Sequence, residues 1–303
     1  MRRTLIALIL SMAASHFAVS LRGQEQPLRP PITGIADVRL WSADPPAAVD
    51  FYTKVLGLTS RDAGCVGMMR PCYLLSDHQQ IALAKGAAGS HANLLAGVAF
   101  ATTNAMGMHR YLQAHSIRVD PVTRDFNGAV HFSFQDPEGL SITFVQPPAH
   151  RQFTPSASQI SPRLIHAGFV VLDRAVEDQF YKDILGFHVY WHGGMKDDES
   201  NWVDMQVPDG TDWLEYMLNV PANADKHTLG VMNHIALGVP DIHAAERQLR
   251  TNGWNGTEQP KIGRDGKWQL NLYDPDGTRV ELMEFTPSQK PCCSDYTGPH
   301  PKP

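Results

Sequence analysis

The sequence predicts an α+β fold of four βαβββ modules, paired two and two. Three observations carry this. FYTKVLGL at 51–58 is repeated as FYKDILGF at 180–187. An Asp-Pro-acid-Gly turn is written twice, in DPEGLSITFVQP (136–147) and in DPDGTRVELMEF (274–285), each time before a strand-like run. The Pro- and Ser-rich stretch PPAHRQFTPSASQISPR (147–163) separates the copies two and two. A single sheet with one helix on it cannot bury both faces, so pairing of modules around a shared concavity is expected.

The elements follow in order. Residues 1–20, MRRTLIALILSMAASHFAVS, have two arginines, an apolar stretch and a small-x-small site at Ala18–Ser20, the pattern of a secretory signal peptide. The first module spans about 33–86, where Asp44 caps a helix, Pro45 takes its first position and Gly57 ends it. The second spans 92–146, strand then helix, and closes on the first Asp-Pro turn, whose residues suit a type I turn between antiparallel strands. Residues 147–162 are read as the linker between an N-terminal domain (33–146) and a C-terminal domain (163–286). The third module (163–219) has the strand LIHAGFVV, a cap at Asp173, helix positions Val176, Phe180 and Ile184, and a stop at Gly186. The fourth (230–286) repeats strand, helix and the second turn. Residues 287–303, rich in Pro and polar residues, are expected to be a disordered tail.

Composition narrows the function classes. The chain of 303 residues is 43% hydrophobic and 19% charged, with a net charge of −5. No Lys/Arg cluster follows the first three residues, which argues against nucleic acid or an anionic membrane as partner. A small-molecule substrate is the expectation, with self-association into a homodimer open. The leader points to export, periplasmic or secreted, from a bacterium. An oxidising compartment would permit a Cys65–Cys72 bridge, and free thiols are the other reading. Neither Cys65/Cys72 nor Cys292/Cys293 has zinc-site spacing.

The period of two along the strands isolates four residues. In the third module Ile165, Ala167, Phe169 and Val171 form an apolar face, and His166 lies opposite. In DWLEYML (212–218) Glu215 is opposite Leu214, Tyr216 and Leu218. In NHIALGV (233–239) His234 is opposite Ile235, Leu237 and Val239, and in TRVELMEF (278–285) Glu281 is opposite Val280 and Leu282. Singly, each His or Glu is most simply a hydrogen-bonded or solvent-facing strand residue. Together, at equivalent positions of two repeats, two imidazoles and two carboxylates suit one divalent metal ion: Zn, Ni, Co, Mn or Fe. Only a cation makes burial of such carboxylates reasonable. The first half has Asp37, Gly97, Thr143 and Ala82 or Ala84 at the matching places, so the scaffold is kept there without the ligand set.

The motifs LIHAGFVV…FYKDILGF, DWLEYML, MNHIALGVPD and DPDGTRVELMEF resemble the vicinal oxygen chelate superfamily of glyoxalases, bleomycin-resistance proteins and extradiol dioxygenases. The resemblance implies two paired-module domains and metal ligands at His166, Glu215, His234 and Glu281. It also implies that Glu281 or Glu215 moves protons. Three functions are compatible with it. A glyoxalase I-like lyase or isomerase would transfer a proton beside a metal-chelated carbonyl. An extradiol dioxygenase using Fe(II) would need His166, His234 and Glu281, with Tyr273 as a candidate active-site tyrosine or simply a strand residue; Glu215 counts against it. A small-molecule binding or resistance protein would not need the ligand set. WHGGMKDDESNW (191–202) is read either as a lid carrying His192 and Lys196 or as a solvated loop. Trp202 and Trp213 belong either to the concavity or to the core, and His188, His227 and His243 are taken as surface residues.

Overall fold

In a computed structural model describing residues 27–62, 65, 71–86, 94–148 and 153–303, the four expected modules are present. The leader lies outside the described residues. The first half contains β1 (Ile32–Ser42), α1 (Pro45–Asp50), β2 (Thr59–Arg61), β3 (Cys72–Leu74) and β4 (Gln80–Lys85). It continues with β5 (Leu95–Thr102), α2 (Ala105–Ala114), β6 (Thr123–Arg124), β7 (Val130–Gln135) and β8 (Ser141–Gln146). The second half repeats this with β9 (Arg163–Val170), α3 (Arg174–Glu177), β10 (His188–Gly193), β11 (Trp202–Gln206) and β12 (Trp213–Met217). An added helix, α4 (Lys226–Met232), precedes β13 (His234–Val239), α5 (Ile242–Thr251), β14 (Lys261–Ile262), β15 (Trp268–Tyr273) and β16 (Arg279–Glu284). Each half folds into one eight-stranded sheet, ordered β2-β3-β4-β1-β5-β8-β7-β6 and β10-β11-β12-β9-β13-β16-β15-β14. At each centre two antiparallel strands, β1/β5 or β9/β13, are flanked by parallel neighbours.

The local signals act as their chemistry requires. Asp44 accepts a hydrogen bond from Ala47 N, and Asp173 accepts from Ala175 and Val176 N. Gly139 and Gly277 close their turns with φ of +91° and +89°, a region where L side chains are strained. The helices α1 and α3 do not run on as regular α-helix. Each widens into a π-helical turn, Phe51–Val55 and Asp178–Ile184. The widened turn moves the apolar stripe: Phe180 is buried, whereas Val176, expected on the same face, is 41% exposed.

The two halves share one core. Phe134 of β7 packs edge-on against Phe180, with ring centroids 5.8 Å apart, and Phe100 of β5 meets Phe187 at 5.3 Å. Two matching hydrogen bonds cross between halves: Tyr181 Oη donates to Asp136 (2.9 Å) and Tyr52 Oη donates to Asp274 (3.1 Å). Those aspartates are the first residues of the two Asp-Pro turns, so each turn is anchored by the opposite half. Asp212 is a third link, accepting from Ile35 N (2.9 Å) and from Arg163 Nη2 (2.7 Å).

The tail corrects an expectation. Residues 287–303 pack against the outer strands of the second sheet rather than standing free. Thr297 N donates to Tyr190 O (3.0 Å), Gln206 Nε2 to Pro299 O (3.0 Å) and Trp191 Nε1 to Cys292 O (3.1 Å). A Pro-rich segment has few backbone donors, but edge strand β10 and its side chains supply them. Cys65 and Cys72 form a disulfide, and Cys292 and Cys293 form a second one between adjacent residues. Among the described residues no helix is long and apolar enough to cross a membrane.

Candidate metal centre

Alternation along β9, β12, β13 and β16 puts Ala167, Phe169, Leu214, Tyr216, Ile235, Leu237, Val280 and Leu282 into the shared core. One residue departs from the expected pattern. Ile165 sits with Trp213, Ala236 and Met283 on the concave side, because the β9/β13 register jumps between Ala236↔His166 and Leu237↔Leu164. The bulge at Ile165 turns two successive residues, Ile165 and His166, toward the concave side.

That side brings all four candidate ligands together. His166 Nε2 is 3.0 Å from His234 Nε2. Glu215 Oε2 lies 2.9 Å from His234 Nε2 and 3.5 Å from His166 Nε2. Glu281 Oε2 stands further off, 3.7 Å and 3.8 Å from the same two nitrogens. Both imidazoles are buried, and so is Glu281, while Glu215 keeps 14% of its side chain exposed.

The four side chains bring their donor atoms to one place. His234 Nδ1 faces Met232 O at 3.0 Å, which places its proton on Nδ1 and leaves the Nε2 lone pair facing inward. Burial pushes both imidazoles below their ordinary range. Glu215 is held near 2: burial raises it, but the hydrogen bond and charge interactions with His234 and His166 outweigh that. The two imidazole Nε2 atoms and the Glu215 carboxylate thus converge at contact distance. Such a convergence calls for positive charge, which the Arg279 guanidinium supplies in this structure with Nη2 2.7 Å from His234 Nε2; the N/O donor set also fits a first-row divalent ion. Burial raises Glu281 to about 7, so the two carboxylates are unequal.

The first half carries a different set of residues at the matching places. Asp37 pairs with Ala99 as His166 pairs with Ala236, and Thr143 lies beside Ala99 as Glu281 lies beside Ala236. Ala82, of the two alanines considered, stands opposite Arg39 as Glu215 stands opposite Gly168. Gly97 faces Arg39 as His234 faces Gly168. Thus Gly168/His234 in one half is Arg39/Gly97 in the other. The exchange is steric: a Cβ on Gly168 would stand 2.0 Å from the His234 ring, and a Cβ on Gly97 would stand 2.6 Å from Arg39 Nη2. Arg39 Nη2 donates to Thr143 Oγ1 at 2.9 Å, and its Nε lies 3.8 Å from Asp37. A covalently attached guanidinium takes the place enclosed by four ligands in the second half.

A cavity of about 350 Å³ opens beside the four residues, walled by Trp191, Trp202, Met195 and Met283. Trp213 packs against His166, ring centroids 4.9 Å apart, so it is both core and wall. The proposed lid contributes Met195 rather than its charges. Lys196 points outward to Glu199 (2.7 Å) and His192 is exposed. Tyr273 is 38% exposed at the end of β15 and does not line the cavity. Asp212 serves the junction between halves, and Thr211 accepts from Arg163 of its own half.

Sequence reasoning missed Arg279, Asp204, Asp265 and Lys267. Arg279 Nη2 donates to His234 Nε2 at 2.7 Å and lies 4.0 Å from Glu281. It sits two residues before Glu281 on the same strand, and extending the alternation by one step finds it. Lys267 is fully buried, its Nζ 4.6 Å from the Trp213 ring and 5.2 Å from Tyr296 of the tail. Burial lowers its pKa, and Asp265 and Asp204 oppose that shift. No repeat marks this cluster, because one of its rings comes from the tail.

The fold is a paired-module scaffold, and comparison with known proteins agrees with it. The family model described as "Glyoxalase/Bleomycin resistance protein/Dioxygenase superfamily" matches residues 34–144 and 163–282, and the chain belongs to that superfamily. Among curated relatives, "Lactoylglutathione lyase" of Haemophilus influenzae is 30% identical over 115 residues, 37% of this chain and 84% of that protein. "Probable lactoylglutathione lyase" of Synechocystis is 32% identical over 132 residues, 42% of this chain and 98% of that protein. Among solved structures, a variant of homoprotocatechuate 2,3-dioxygenase from Brevibacterium fuscum superposes with a TM-score of 0.63 at 19% identity. The match covers 85% of this chain and 72% of that one, a likeness of fold.

Proposed function

We propose that the chain is a metal-dependent lyase or isomerase of this superfamily, acting on a small molecule by proton transfer next to a carbonyl. The observation that carries this reading is the position of Glu215, nearest of the two carboxylates to both imidazoles. A two-His, one-carboxylate site with open positions for dioxygen does not need it. His166, Glu215, His234 and Glu281 hold the divalent ion, whose contribution when bound is to polarise the carbonyl as a Lewis acid. Glu281, the looser carboxylate, takes the proton from the carbon beside the carbonyl and returns it at the neighbouring position. Trp191, Trp202 and Met195 exclude water around it. The first half closes the fold and keeps its guanidinium in place of an ion.

The reading is tested by solvent exchange. Zinc-, nickel- or cobalt-loaded protein in D₂O, with hydroxyacetone and pyruvate as probes, is followed by NMR for deuterium entering the C–H next to the carbonyl. Exchange in the wild type and its loss in Glu281→Gln with the metal retained are expected. Oxygen uptake with catechol by the iron-loaded protein, and no exchange with either probe, would support the ring-cleaving dioxygenase instead. We also propose that the leader directs export; the two disulfides are compatible with an oxidising compartment. Intact mass of the protein recovered from the periplasmic fraction checks removal of residues 1–20.

A further inference from the structure

We propose that Arg279 makes the site selective for a ligand that carries a carboxylate beside its chelating oxygen, the class of small 2-oxo and 2-hydroxy acids. The inference rests on the metal reading above and names the substrate class of that same site.

Arg279 is a buried cation, its side chain 15% exposed, with Nη2 2.7 Å from His234 Nε2. That nitrogen is one of the inward-facing lone pairs. The guanidinium therefore reaches into the space where the four donor atoms meet. Arg39 occupies the corresponding space in the first half, held by Thr143 and Asp37. The two halves show the same device, one guanidinium standing where a cation is needed. The difference is how each is held. Arg39 has lost the competing imidazole, since Gly97 replaces it. Arg279 shares its place with an intact ligand set.

A divalent ion and a guanidinium cannot both take the His234 lone pair, and like charges at such separations repel strongly in a buried site. Binding of the ion turns Arg279 toward the cavity it already lines. The other charges there have partners. Arg264 donates to Gly194 O at 3.1 Å and pairs with Asp197. Lys267 is matched electrostatically by Asp265 and Asp204 behind the wall. Lys261 stands exposed at the rim. Glu215 and Glu281 belong to the ion. Among the described residues lining the cavity, Arg279 is thus the buried cation left facing the ligand, with its Nε carrying no hydrogen bond. A guanidinium so placed is suited to a carboxylate, which it can meet with two parallel hydrogen bonds. The cavity of about 350 Å³ and its tryptophan and methionine walls admit a small organic acid with an apolar substituent.

The test uses full-length protein loaded with Co(II), whose visible band reports ligands entering the metal's surroundings. Glycolate and glycolamide, alike in size and in their 2-hydroxyl but differing in charge, are titrated into wild type, Arg279→Gln and Arg279→Lys. We expect glycolate affinity to fall at least about tenfold in Arg279→Gln while that of glycolamide changes less than about twofold, with Arg279→Lys between. Equal losses for both probes, or none, would overturn the assignment and leave Arg279 as a partner of Glu281 alone. If Arg279→Gln does not fold, Arg279→Lys decides by the same comparison, because it keeps the charge and loses the two-pronged geometry. A wild type that shows no Co(II) band at all would instead remove the metal reading on which the proposal stands.

Discussion

At the scale of single residues, Gly168 is the permissive element of the site. Its missing side chain is where the His234 ring lies, so β9 and β13 can pair normally with an imidazole between them. Gly168→Ala is expected to expel His234, abolish metal retention, and destabilise the protein by about 1–3 kcal/mol through overpacking. Elemental analysis and thermal melts check the two effects separately. Glu177 offers a second test at this scale. Its carboxyl is buried, with Oε2 lacking a hydrogen-bond partner, and burial and the nearby Asp136 and Glu138 raise it to about 8 from an ordinary 4.5. The folded state thus holds this proton more tightly than the unfolded chain does. Its contribution to stability is fully present below about 4.5 and is lost as pH rises through about 8. Glu177→Gln, which keeps the acceptor for Glu138 N, should match the wild type near pH 4 and exceed it in melting temperature near pH 8.5. A variant with the same pH profile as the wild type would contradict this.

At the scale of elements, periodicity and caps were legible, and the irregularities were not. Alternation identified His166, Glu215, His234 and Glu281 because each strand buries one face in a common core, and a period of two fixes the other. Ile165 escaped this reasoning because a bulge shifts one residue without a local composition signal. Val176 escaped it because the π-helical turn changes the period that places Phe180. The tail was read from composition alone, and composition does not report the edge strand it meets. Tyr296 packs at a tilt against Tyr190, ring centroids 4.7 Å apart, and donates to Asp265 O at 2.8 Å, fastening the tail over Lys267. Tyr296→Ala should lower stability by about 2 kcal/mol, a typical large single-site effect, and expose Trp213 to quenching by acrylamide. Unchanged stability and unchanged fluorescence would mean that the tail is not part of the folded unit.

At the scale of the whole molecule, two halves with the same sheet order differ most at their matching central positions. The second carries the two histidines and two glutamates proposed to hold an ion, and the first carries the Arg39 guanidinium at the matching place. Their cores are continuous, and Asp212, held by Arg163 of its own half, accepts from the backbone of Ile35 in the other. Removing one partner of such a buried pair leaves the other without compensation, so Asp212→Ala is expected to cost about 3–5 kcal/mol. Because the halves share a core, the melt should remain a single transition; two resolved transitions would show that the halves fold independently. The repeat made this architecture visible in the sequence, since four copies of one pattern can be aligned by eye. The occupant of the first site was not visible, because Arg39 enters from the position of Gly168 rather than from that of any ligand.

The measurement that bears most directly on the account is metal stoichiometry. Full-length protein, reconstituted with Zn, Ni or Co and freed of loose ions, is analysed for metal per chain alongside His166→Ala, Glu215→Ala and Arg39→Gln. One tightly held equivalent in the wild type and in Arg39→Gln, lost in His166→Ala and Glu215→Ala, is the result the account predicts. No retained ion in the wild type, or full retention in His166→Ala, would contradict it.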